Sequence, residues 1–147
     1  TFYYNYKDIY DVLNSIFMQA IEENLRDVAE GGSFYEEYIK AASLLVQYRD
    51  VVIHVYNSKN RDIVTNYLER LTAEIVRGYI ARKSEGQNIS DKDLEFISYF
   101  YSYAIIGSTY KWIESGMKAD FKHFIGKIAD SIDATLPVMI SKAGKAD

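Results

Sequence analysis

Apolar residues recur along the first third of the chain in steps of three and four: Ile9, Val12, Leu13, Ile16, Phe17, Ala20, Ile21, Leu25 and Val28. That spacing paints one stripe along several turns of a 3.6-residue helix, whereas a half-buried strand would alternate. Asp8 stands where an N-cap is expected and Gly31-Gly32 where the helix should stop. Ser33 and Glu36 have capping-box spacing and predict a second helix through Tyr38, Ile39, Ala42, Leu45 and Val46. Residues 51–56 are β-branched and, on propensity alone, favour a strand. Nothing else in the chain resembles a strand that could pair with them, so a short helix is expected instead. Asn60 is placed to cap a third long helix with Ile63, Val64, Tyr67, Leu68, Leu71, Ile75 and Tyr79 turned inward. Residues 85–88 read as a polar loop. Ser90 and Asp93 open a further helix that runs to Ser115, with Gly116 as its stop. A last helix starts near Asp120 and buries Phe121, Phe124, Ile125, Ile128 and Ile132, and the tail after Pro137 is expected to be loose. The pattern predicts an all-α, mostly antiparallel helical bundle.

The helix opened by Ser90 breaks the amphipathic rule. Residues 96–110 carry no charge, and their apolar groups fall on two faces. One holds Ile97, Tyr101, Ala104 and Ile105; the other holds Phe96, Tyr99, Phe100, Tyr103, Ile106 and Tyr110. A helix apolar all round must be covered all round. Either it is the central helix of a monomeric bundle, or its second face meets another molecule, most simply an identical chain about a two-fold axis. Gly107 and Ser108 would let two backbones come close at such a crossing. Tyrosine suits an interface because it buries a large ring and keeps a polar tip. The run is too short and too rich in hydroxyls for a membrane helix.

Composition narrows the chemistry. The 147 residues suit one domain, and the single proline and few glycines agree with long helices. Without cysteine there is no disulfide, thiolate metal site or cysteine nucleophile. A net charge of −4 is not that of a free-standing DNA-binding domain, which carries a clustered basic face. The N-terminus shows no secretion signal, so a cytoplasmic protein is expected. Asp120 and His123 lie three apart, but with no third ligand in view Asp120 reads as a helix N-terminal acid, and no metal is expected. No nucleophile elbow, phosphate loop or dinucleotide fingerprint occurs, so neither an enzyme nor a cofactor is expected.

Two segments are similar to the TetR family of transcription regulators. Thr1-Phe2-Tyr3-Tyr4-Asn5-Tyr6-Lys7-Asp8, followed by Asp11-Val12-Leu13, resembles the end of that family's helix-turn-helix and the start of its connecting helix. Asn5 stands where the family usually has His, and Ile9 where it commonly has a phosphate-contacting Lys. The spacing Tyr99, Tyr103, Gly107, Trp112, Gly116 resembles the C-terminal domain of a Gram-positive branch of the family. The resemblance implies residues 1–7 as the remnant of a recognition helix, with Thr1, Tyr3, Tyr4 and Lys7 on the DNA side. Residues 8–147 would then form the connecting helix and a ligand-binding, dimerising domain, the piece at hand being part of something longer.

It further implies a homodimer through the last two helices, drawing on Phe96, Tyr99, Phe100, Tyr103, Ile106, Gly107, Tyr110, Phe121, Phe124, Ile125 and Ile128. The function expected is effector sensing and dimerisation in a DNA-binding repressor, with operator DNA a partner of the full-length protein only. Pocket candidates are Phe17, Tyr38, Tyr48, Tyr56, Tyr67, Tyr101 and Tyr103, with His54 as a polar anchor; aromatic cavities with few polar groups suit small planar or apolar molecules. The effector, a small molecule or a protein, is left unnamed. An adaptor module that buries a partner's surface and senses nothing is the alternative from a different class.

Overall fold

The computed structural model of the chain describes residues 6–27 and 32–145. Among these, six helices follow one another: α1 (Tyr6–Asp27), α2 (Phe34–Gln47), α3 (Arg49–Tyr56), α4 (Asp62–Lys83), α5 (Asp91–Glu114) and α6 (Phe121–Lys145). The fold is an all-α bundle, as the periodicity requires. α1 is already helical at Tyr6, so the backbone at Asp8 lies inside the helix instead of at its cap. The predicted stop at Gly31 lies outside the described residues.

Local chemistry explains most of the boundaries. The Ser33 hydroxyl accepts from the Glu36 N–H at 3.1 Å, and the Ser90 hydroxyl accepts from the Asp93 N–H at 3.0 Å, so both predicted caps form. At the end of α5, Gly116 takes φ 82°. Its N–H reaches the carbonyl of Ile113, and the Met117 N–H reaches that of Trp112, which satisfies two orphan carbonyls in a Schellman turn. Asp120 caps α6 through the His123 N–H at 3.0 Å, which accounts for that acid.

One expected element forms as the sequence reading has it, and two further boundaries differ from that reading. Residues 51–56 do form a helix, with Val52, Val55 and Tyr56 buried at helical spacing, so tertiary packing overrides their strand propensity. Asn60 does not cap α4: the helix begins at Asp62, and no side chain caps it. The turn before it is held instead by Arg61, whose Nε donates to the Tyr56 carbonyl at 2.6 Å while its guanidinium covers the Tyr56 ring at 4.4 Å. The tail after Pro137 is not loose. α6 runs through the proline, because Ile132, Leu136 and Ile140 continue the buried stripe four residues at a time.

The core gathers Leu13, Phe17 and Ile21 of α1, Phe34, Tyr38 and Leu45 of α2, and the inner face of α4 from Val64 to Ile80. α5 lies chiefly against α4, while α6 lies chiefly against α2 and meets α5 more lightly. That arrangement decides what α5 can hide.

Candidate functional site

α5 buries Ile97, Ser98, Tyr101, Ser102, Ile105, Ile106, Thr109, Trp112 and Ile113 against its own chain. Its other side faces outward. Phe96 is 46% exposed, Tyr99 49%, Phe100 51% and Tyr103 67%, and Ala104, Gly107 and Ser108 lie exposed beside them. The rings lean on one another: Phe96 on Tyr99 at 5.2 Å and on Phe100 at 6.0 Å, and Tyr99 on Tyr103 at 6.5 Å. A contiguous aromatic ridge without charge is the kind of patch that marks a binding surface.

Two of the residues assigned to this face are elsewhere. Ile106 is buried, turned toward α4 by the heptad geometry that also buries Ile113, and Ile125 of α6 is buried in the core. Tyr110 is half-buried and bonded within its own chain, its hydroxyl donating to Glu69 and its ring 5.8 Å from that of Tyr56. Phe121 and Phe124 pack on Trp112 at 5.6 and 5.2 Å. Ala104, assigned from the sequence to the core side, is instead on the open face. Ala104 and Ser108 are joined there by Ser131 and Thr135 of α6, which were not singled out in the sequence. With Phe100 and Ile128 they line an open groove of about 460 Å³ between α5 and α6.

The expected pocket residues do not share one cavity. Phe17, Tyr38 and Tyr67 come together in the core, where the Phe17 and Tyr67 rings stack at 4.0 Å. The Tyr38 hydroxyl pairs with Thr72 at 3.1 Å, and that of Tyr67 donates to the Ala41 carbonyl at 3.0 Å. Tyr56 donates to Glu114 at 2.9 Å, and Tyr101 pairs with Thr135 at 2.6 Å. His54 is exposed on α3 and stacks on Tyr10, away from the others. Tyr48 borders an apolar groove with Val12, Ile16 and Val51, and Tyr103 belongs to the ridge. Phe17 and Tyr67 do reach a surface groove of about 260 Å³ between α1 and α4, shared with Asn14, Met18 and Arg70.

Burial raises the Tyr38 and Tyr67 phenols above their ordinary value, so neither is suited to act as a base. Thr1, Tyr3 and Tyr4 lie outside the described residues, as does the side chain of Lys7, whose backbone lies in the first turn of α1.

The described residues form an all-helical bundle that turns an aromatic ridge to solvent, an architecture that fits a regulator domain. The chain belongs to the TetR family: residues 32–134 match the family profile described as a transcriptional regulator C-terminal region, which spans most of the sequence. No curated protein and no solved structure matches the chain significantly. Among the described residues no helix is long and apolar enough to cross a membrane.

Proposed function

We propose that this domain joins two copies of a transcription regulator through α5 and α6, and so fixes the separation of two DNA-binding heads. The observation that carries the reading is the ridge Phe96, Tyr99, Phe100, Tyr103, each ring about half exposed or more in a single chain. Two heads must meet half-sites about one DNA turn apart, roughly 34 Å, so a rigid link between them controls operator binding. The class of regulator supports repression and a cytoplasmic setting, and the ridge supports a homodimer.

Light scattering on the purified chain should give twice the chain mass. Tyr103→Glu should give a monomer with unchanged helical content, because that side chain is the most exposed of the ridge. A monomeric unmodified chain would remove the basis of the proposal.

Within the same reading, effector sensing falls to the groove between α1 and α4. A molecule wedged beside Phe17 and Tyr67 would tilt α1, the helix that leads toward the N-terminal side, and ligand and DNA would then bias one equilibrium. The bonded core favours a second reading in which the chain associates and senses nothing. A thermal-shift screen of small planar compounds separates the two. Stabilisation that Met18→Trp abolishes supports sensing; no stabilisation by any compound supports association alone.

A further inference from the structure

The exposed face of α5 is stepped, and the step predicts how two copies fit. Resting on the dimer reading above, we infer that two α5 helices cross antiparallel, with Phe100 and Tyr103 of one copy seated over the partner's Gly107 and Ala104, and the two-fold axis passing close to Ala104.

The N-terminal half of the face is bulky, and the turn that follows is bare: Ala104, Gly107 and Ser108 are all exposed. The rings of the bulky half brace one another, so the ridge has a fixed shape. Neither a turn nor a close contact among the described residues calls for glycine at position 107. Its φ is not positive, and a Cβ added there would meet nothing within 4 Å. A glycine in mid-helix weakens the helix, so room left at Gly107 points to something that approaches from outside.

A two-fold interface makes residue i meet j and j meet i. An axis at Phe100 would set ring on ring and leave Gly107 uncovered; an axis at Gly107 would set bare surface on bare surface. Only an axis between them places each large ring over small residues on the other copy. The groove between α5 and α6 opens along the same bare strip, giving the partner's Phe100 ring a wall to lie against. In this register Lys111, exposed at the C-terminal end, comes opposite the partner's Phe96, where a cation suits the face of a ring.

The chain has no cysteine, so single introduced thiols report contacts without interference. Under mild oxidation Ala104→Cys should form a disulfide-linked dimer, because thiols bridge only when their Cα atoms lie within about 7 Å. Gly107→Cys alone should stay mostly uncrosslinked. An equimolar mixture of Phe100→Cys and Gly107→Cys chains should yield the mixed dimer in several-fold excess over either self-linked product. Light scattering under reducing conditions is run on each variant. A dimer that links through Gly107→Cys alone, or through none of these thiols, overturns the register and leaves the dimer reading standing. A monomeric unmodified chain overturns both.

Discussion

Tyr38, Thr72 and Thr109 show how a single polar contact is made to count in this core. Tyr38 is fully buried, and its hydroxyl reaches Thr72 from another helix. Removing that hydroxyl leaves Thr72 buried with one partner fewer, so Tyr38→Phe should lower unfolding free energy by about 1 to 2 kcal/mol in urea titrations. Tyr38→Phe combined with Thr72→Val should cost less than the two singles together, since both ends are then apolar.

Tyr79 carries a pH signature. Burial, then the carboxylate of Asp133 to which it donates at 3.2 Å, then Glu37, push its phenol from an ordinary value of 10.0 up to about 12, against the pull of Arg82. Between those two values the unfolded chain has released a proton that the native chain keeps. The contribution is therefore whole below pH 10 and is lost as pH rises toward 12. Thermal unfolding in that window should steepen with pH, and Tyr79→Phe should make the decline shallower.

Among the elements, α6 is the one whose propensity and packing conflict. Pro137 removes one backbone donor in a helix interior, yet Leu136 and Ile140 on either side are buried and hold the helix past it. Because Pro137 itself is exposed, Pro137→Ala should restore the hydrogen bond without disturbing the core. A gain of roughly 1 to 3 kcal/mol is expected by denaturant titration. An unchanged or lower midpoint would show that the helix bends around the proline in a way the core requires. α3 shows the opposite conflict, a strand-prone segment made helical because its burial pattern at Val52, Val55 and Tyr56 is helical.

At the scale of the whole molecule, the ridge on α5 links stability to concentration. A dimer that buries Phe96, Tyr99, Phe100 and Tyr103 should show a Tm that rises with protein concentration, and Tyr103→Glu should abolish the rise. The net charge of −4 places a further limit. Without a clustered basic face the chain by itself should not retard operator-length DNA at physiological salt, whereas the full-length regulator should. Tight, salt-sensitive binding by the chain alone would contradict the division of labour proposed here.

The sequence alone was enough for the order of the elements and their class, though not for where α4 begins or α6 ends. The caps at Ser33, Ser90 and Asp120 and the stop at Gly116 are short-range chemistry, complete within four or five residues. The uncharged stretch of α5 likewise told of two apolar faces. What it could not tell was which of those faces the chain itself would cover, since that depends on α4 and α6, remote in sequence. Packing buried Ile106 and Ile125, turned Ala104 outward, tied the core tyrosines to Thr72, Ala41 and Thr135, and separated His54 from them. A helical wheel gives direction around an axis, but only the neighbours placed around that axis decide which direction is inside.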